Sequence, residues 1–163
     1  MIKIIFLSFF VKFLQDVVYD GWKIKDEDFG KISSWGPDII LVVDTLTQMG
    51  RMAIREAMRM KKHVDTVPDR TDMYLAQNLV ESVLAAIITS CSCNVIFNAH
   101  IVPLEDDKAI VKVYPHCVSN KFSQRIGGYF NNVWLQETVG RAPEVKRQIK
   151  TAGDGKMDLK TAQ

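Results

Sequence analysis

The sequence contains little glycine, little proline and little net charge, which excludes several classes of protein. Nine glycines and five prolines among 163 residues are fewer than disordered, collagen-like or repetitive chains contain. The 21 Lys and Arg residues nearly balance 19 Asp and Glu residues, so net charge alone does not drive binding to DNA or to an anionic membrane. The length of 163 residues predicts a single domain spanning residues 1–163, with a polar tail over 152–163, and the hydrophobic share of 47% is an ordinary value for a globular protein.

Cysteine is scarce as well. The three cysteines are an odd number, and the Cys91-x-Cys93 spacing is tighter than that of a zinc knuckle, so a reducing compartment is the simplest interpretation. A metal site would have to combine these two residues with Cys117, His100 and His116. These are plausible ligand types, but no two of them have a standard spacing.

The apolar segment near the start of the sequence is too short to cross a membrane. The apolar segment 2–14 is interrupted by Lys12, whereas a membrane span needs about 20 apolar residues. No small-x-small cleavage site follows the segment, which argues against a secretory signal. We therefore expect no membrane association.

Two apolar runs predict buried strands of a parallel sheet. Asp38 to Asp44 is continuously apolar between two acids, which favours a strand covered on both faces, and Asn94 to His100 is a second such run. Helical patterns lie between them, at Met49 to Lys62 and more strongly at Met73 to Ile88. This order predicts a strand, a helical layer and a second parallel strand.

Weaker patterns cover the remaining chain. The expected elements are a strand at 2–10, a helix at 11–19, a surface connection at 20–37, a strand of a hairpin-like addition at 109–114, a helix at 119–130 and strands at 132–138 and 145–151.

Polar residues end both predicted buried strands, where open α/β sheets bind their ligands. Asp44 is suited to hold a water of hydrated Mg²⁺, or else it caps the next helix. His100 would lie on the same rim and polarise a phosphate oxygen, or else be a half-buried histidine bonded to a backbone carbonyl. Asn98 would face the same side as His100 and either assist it or fill a polar niche.

The stretch from Trp35 to Thr47, followed by Asn94 to His100, resembles the Walker B strand and the sensor strand of RecA-like P-loop ATPases. The similarity is closest to bacteriophage AAA-type nucleotide-binding proteins related to single-strand-annealing recombinases, and it extends over residues 22–161. The resemblance implies an α/β fold, a RecA-like three-layer sandwich with a mostly parallel sheet. It also implies ATP and Mg²⁺ as cofactors and the cytoplasm of a phage-infected bacterium as the location.

The resemblance also implies roles for single residues. Asp44 matches the acid that holds the Mg²⁺ water, Thr45 is its polar neighbour in the nucleotide site, and His100 matches the catalytic γ-phosphate sensor. Lys156 and Lys160 fall where related proteins place cations that reach a nucleotide across a subunit interface, which implies a homo-oligomer. The alternative is that both lysines belong to a solvated tail and have no role in nucleotide binding.

The phosphate-binding loop of such ATPases is missing from this sequence. The pattern Gly-x-x-x-x-Gly-Lys-Ser/Thr does not occur, although its backbone N–H groups cradle the phosphates. We therefore expect an incomplete domain that lacks the P-loop strand, exposes an unpaired sheet edge and is inactive in ATP hydrolysis by itself.

Two functions follow from these observations. The first is the ATP-binding core of a phage protein for DNA recombination or replication. The second is a non-catalytic module that binds single-stranded DNA or serves assembly. For the second, the basic run Arg51, Arg55, Arg59, Lys61 and Lys62 has roughly helical spacing and would contact phosphates, unless it is only a solvated helix face.

Overall fold

The structure is a computed structural model that describes residues 2–5, 21–24, 26–105, 110–155 and 157–161. The chain divides into two compact units. The first unit comprises residues 1–100 and 116–119, and the second comprises 101–115 and 120–163. The sequence-based expectation of one domain stays a prediction.

The described residues form nine strands, three α-helices and two short 3-10 turns. The strands are β1 (Ile2–Ile5), β2 (Trp22–Ile24), β3 (Glu27–Gly30), β4 (Ile40–Asp44), β5 (Asn94–Asn98), β6 (Ile101–Glu105), β7 (Val111–Pro115), β8 (Leu135–Val139) and β9 (Lys146–Lys150). The helices are α1 (Leu46–Met60), α2 (Arg70–Ser90) and α3 (Asn120–Ile126), and the 3-10 turns are Ile32–Ser34 and Gly127–Tyr129.

A three-stranded parallel sheet lies in the first unit, with the order β1-β4-β5. The predicted parallel pairing of the two apolar runs is therefore confirmed. Burial alternates along β4, where Leu41 and Val43 are fully buried while Ile40 and Val42 are only partly covered. The expectation of continuous burial on both faces was wrong. The strand buries one face completely and shields the other in part.

Helices α1 and α2 pack against each other and supply most of the buried side chains of the first unit. In α2 the buried residues recur at helical spacing, as the sequence predicted, with Val80, Val83, Leu84 and Ile87 inside. The helix starts with a capping box in which Asp69 and Asp72 exchange backbone and side-chain hydrogen bonds. Two reciprocal bonds thus define the start of the longest described helix.

The segment expected to be a plain surface connection contains structure of its own. Strands β2 and β3 pair antiparallel, and Trp35 packs its ring 6.0 Å from that of Trp22. The indole N–H of Trp35 donates to the carbonyl of Phe29 at 2.6 Å. Trp35 and Ile32 are almost fully buried, so this hairpin region contributes to the core.

The second unit consists of two antiparallel hairpins and one short helix. Strand β6 pairs with β7, and β8 pairs with β9. Helix α3 packs on β7 and buries Phe122 and Ile126. The polar tail takes part in this unit, because Met157 is buried and the backbone of Lys160 forms an antiparallel bridge with Val133.

The predicted RecA-like three-layer sandwich with one mostly parallel sheet was wrong. The strands form four separate sheets, of which only β1-β4-β5 is parallel and the other three are antiparallel pairs. The connection lengths explain the difference, since only two residues separate β5 from β6. A strand needs a crossover of about a dozen residues to join a sheet in parallel, so β6 pairs locally with β7 instead.

One described helix, α2, is long and apolar enough to cross a membrane by length and composition alone. The core helix of a soluble protein passes the same test. Helix α2 packs on α1 along its buried stripe, and 28% of its apolar window is buried.

Candidate functional site

The carboxyl edge of the three-stranded sheet brings two of the predicted site residues side by side. Asp44 ends β4 and is in register with Asn98, which ends β5. His100 follows two residues later and is exposed, as is Asn98, whereas Asp44 is partly exposed. The sequence predicted this proximity, because parallel strands end at the same edge of a sheet.

Thr45, not Asp44, caps helix α1. The Thr45 side chain accepts a hydrogen bond from the backbone N–H of Gln48 at 3.0 Å, which is the usual bond of an N-cap. No group among the described residues makes a hydrogen bond or an ion pair with the Asp44 carboxylate. The capping alternative for Asp44 is therefore removed, and the hydroxyl of Thr45 is already engaged by the helix.

Thr47 links two chain segments to the start of α1, a role that no sequence pattern predicted. Its buried hydroxyl donates to the carbonyl of His116 at 2.8 Å and accepts from the backbone N–H of His100 at 3.0 Å. The backbone N–H of His116 also donates to the carbonyl of His100 at 2.7 Å. These three bonds hold the backbone of His100 beside the carboxyl edge.

The segment 116–119 lies directly against α1. The Cys117 thiol donates to the carbonyl of Leu46 at 3.6 Å, and burial raises the pKa of this thiol to about 12. A β-carbon at Gly50 would lie 2.7 Å from the backbone nitrogen of Val118, so the close approach requires glycine. Cys117 is therefore a packed, protonated core thiol.

Of the two predicted tail lysines, Lys156 lies outside the described residues. Lys160 belongs to the second unit, where it lines a pocket of about 310 Å³ together with Tyr114, Arg125 and Asp158. Asp44, Thr45, Asn98 and His100 are the predicted site residues that share one compact unit.

The basic run on and after α1 is only partly free to bind a partner. Arg59 forms a two-pronged contact with Glu56, whose pKa is lowered chiefly by that hydrogen bond. Within the described structure, exposed Arg51 and Arg55 have no ion-pair partner, and neither has Lys62. A face with three available cations therefore remains of the five predicted.

Four ionisable residues form a cluster at the connection between α1 and α2. The Lys61 ammonium lies 2.9 Å from carboxylate oxygens of both Asp69 and Asp72, and His63 Nε2 lies 3.0 Å from Asp72. Burial of Asp72 raises its pKa, but bonds from the Asp69 backbone, Lys61 and His63 outweigh this and lower it. Two carboxylates and an imidazole gathered in this way resemble a cation site. The Lys61 ammonium already neutralises them, so the cluster is an ion-pair network.

Sequence analysis missed this cluster because His63, Asp69 and Asp72 lie between the two predicted helical segments, Met49 to Lys62 and Met73 to Ile88. The available signal was an Asp at the start of a strongly periodic helix with a second Asp three residues later, which is a capping-box spacing.

Comparison of this chain with protein-family models, curated proteins and solved structures found no match.

Proposed function

We propose that the carboxyl edge of the β1-β4-β5 sheet binds a Mg²⁺-nucleotide, with Asp44 as its acidic group. The observation that supports the proposal is the state of the Asp44 carboxylate, which no described residue engages while Thr45 performs the capping. Asp44 also stands at the edge where parallel sheets bind ligands. A partly exposed carboxylate of this kind is suited to attract a hydrated cation.

The residues of this edge fit a hydrated Mg²⁺ better than a dehydrated one. Magnesium gives up its waters reluctantly and is commonly bound through one or two carboxylates together with substrate phosphates. Asp44 supplies one carboxylate, and Asn98 in register beside it supplies an amide. The exposed imidazole of His100, whose backbone is held by Thr47, is available for a phosphate oxygen.

The expected binding is weak because the sequence contains no P-loop pattern. Backbone N–H groups that cradle phosphates contribute much of the affinity in complete ATPases, and no hydrolysis is proposed for this chain. We propose ATP as the nucleotide from the sequence resemblance, and a role in DNA recombination or replication has the same basis.

Titration of the protein with ATP, followed by nuclear magnetic resonance, tests the proposal. In the presence of Mg²⁺ we expect concentration-dependent shifts of the Asn98 and His100 amide signals, and smaller shifts when Mg²⁺ is chelated. The Asp44→Asn variant should lose at least about tenfold in Mg²⁺-dependent affinity, since the loss of one charge-assisted contact is worth about 1.4 kcal/mol or more.

Asp38→Asn is the matched control, because Asp38 is an exposed acid shortly before the opposite end of the same strand. It should bind like the unmodified protein. Unchanged Mg²⁺-dependent binding in Asp44→Asn would contradict the site, and so would a complete lack of ATP-induced shifts in the unmodified protein.

A second candidate function is binding of single-stranded DNA by the basic face of α1. It is favoured by the lack of described ion-pair partners at Arg51 and Arg55, which are exposed one helical turn apart. Fluorescence anisotropy with a labelled oligonucleotide at increasing salt tests it. Arg55→Gln should weaken binding and reduce the salt slope by about one. Arg59→Gln is the control, because Glu56 already neutralises Arg59, and equal effects of both variants would contradict this candidate.

A further inference from the structure

Two of the three cysteines touch each other at the turn between α2 and β5. Cys91 is the C-cap of α2, and Cys93 directly precedes β5. The Cys93 thiol donates a hydrogen bond to the Cys91 sulfur at 3.3 Å, and the Cys91 thiol lies 3.7 Å from the carbonyl of Cys93. Both side chains are half-buried, whereas Cys117 is completely buried.

We propose that Cys91 and Cys93 form a reactive dithiol that reduces a small-molecule disulfide and closes to a Cys91–Cys93 disulfide. Two sulfurs already in contact need a shift of little more than an ångström to reach the bonded separation of about 2.05 Å. The short connection of α2 to β5, in which exposed Ser92 is the middle residue, allows this local movement.

A metal ion is a less suitable occupant of this pair. Structural zinc sites use four protein ligands. Among the described residues, the potential metal ligands that lie within reach of one ion are His63, Asp69 and Asp72, and neither Cys91 nor Cys93 belongs to such a group. Two sulfurs alone leave at least half of the coordination shell without a protein ligand.

The two sulfurs have different roles in the exchange. Burial, followed by the hydrogen bond with Cys91, raises the pKa of Cys93 to about 12, so Cys93 holds its proton at neutral pH. The Cys91 sulfur accepts that S–H group, so we assign the first attack on the disulfide to Cys91. Cys93 then becomes the resolving cysteine.

The proposed reaction is balanced with a disulfide as the oxidant. The Cys91 thiolate attacks one sulfur of the disulfide RSSR, the S–S bond breaks, and RS⁻ leaves with the bonding electron pair. Cys93 then loses its proton and attacks the Cys91 sulfur, which expels the second RS⁻. The two thiol protons end on the released thiolates, so two cysteine thiols and RSSR yield one protein disulfide and two RSH.

Glutathione disulfide is the probe for the test, with acid quenching, intact mass measurement and peptide mapping. We expect the unmodified protein to lose two hydrogens, to retain no glutathione and to yield a cross-linked Cys91–Cys93 peptide. Cys93→Ser should retain one glutathione on Cys91, because no resolving thiol remains. Cys91→Ser should react at least about tenfold more slowly at Cys93, in line with the raised pKa.

Cys117 is the internal control, since its buried thiol should stay unmodified in the folded protein and react only in denaturant. Glutathione retained on Cys91 of the unmodified protein would overturn the proposal, as would equal reaction rates of the two single variants. Absence of any reaction in the unmodified protein would overturn it as well. Circular dichroism of both serine variants should match that of the unmodified chain, so that a failure of folding is recognised.

Discussion

The two compact units of this chain bury their side chains to very different extents. The first unit completely buries apolar residues from the 3-10 turn Ile32–Ser34, β4, α1 and α2. In the second unit the buried apolar side chains among the described residues are Phe122, Ile126 and Met157. In its β8–β9 hairpin, Val139 is 45% exposed and Ile149 is 62% exposed. Hydrophobic burial therefore stabilises the first unit far more than the second.

The contrast follows from the distance along the chain over which contacts form. Strands β4 and β5 are joined by two helices, of which α1 packs on β5 and α2 packs on α1. Strands β8 and β9 are joined by a six-residue connection that contains no helix, so they pair as a hairpin whose residues are mostly exposed. Long connections bring a helical layer with them, whereas short ones leave a hairpin with an exposed face.

The largest expected effect is the loss of a side chain from the first unit's core. Leu84 on α2 is fully buried, and Leu84→Ala should lower the free energy of unfolding by about 2–5 kcal/mol. Ile149→Ala on β9 removes a side chain that is 62% exposed and should change it by no more than about 0.5 kcal/mol. Urea denaturation followed by far-ultraviolet circular dichroism measures both.

This pair of variants directly tests the difference between the units. Both substitutions remove a branched aliphatic side chain, so a difference in their effects reflects burial. Equal losses of unfolding free energy in the two variants would mean that the β8–β9 hairpin packs more tightly than its exposure indicates. The two units would then not differ in how much burial stabilises them.

Much of the first unit was predictable because its signals are local. The apolar run of β4 and the helical periodicity of α2 each lie within one short window of sequence. The fold class was wrong because sheet membership is a long-range property. The run 109–114 predicts a strand of a hairpin, which β6 and β7 form, whereas the compositions of the runs 132–138 and 145–151 do not say which sheet they join.

The candidate site was predictable to a similar degree. Because Asp44 and Asn98 end parallel strands, their proximity follows from topology. The choice between Asp44 and Thr45 as the cap depends on the backbone conformation at the strand end, which one sequence does not reveal. The contact of Cys91 with Cys93 was likewise hidden, because the sequence fixes their spacing but not the rotamers of their side chains.

The smallest expected effect concerns acidic side chains in ion pairs, which both units contain. The hydrogen bond from Lys61 lowers the pKa of Asp69 from 3.8 to about 2, and the bonds from Gln148 and Lys150 lower that of Glu137. A lowered pKa means that the unfolded chain binds the proton first, so each acid stabilises the fold above its unfolded pKa. For Asp69 this contribution disappears as the pH falls from about 4 to about 2.

Asp69→Asn isolates this charge, because asparagine caps helices about as well as aspartate. The variant should therefore lose less stability than the unmodified protein when urea midpoints are compared at pH 4 and pH 2. The difference should be small and should shrink in high salt, because the Asp69 side chain is 55% exposed and solvent screens its ion pair. Asp65→Asn is the control, an exposed acid in the same connection with no ion pair in the described structure. If both variants lose stability equally, the acid dependence of the first unit does not come from the contact between Asp69 and Lys61.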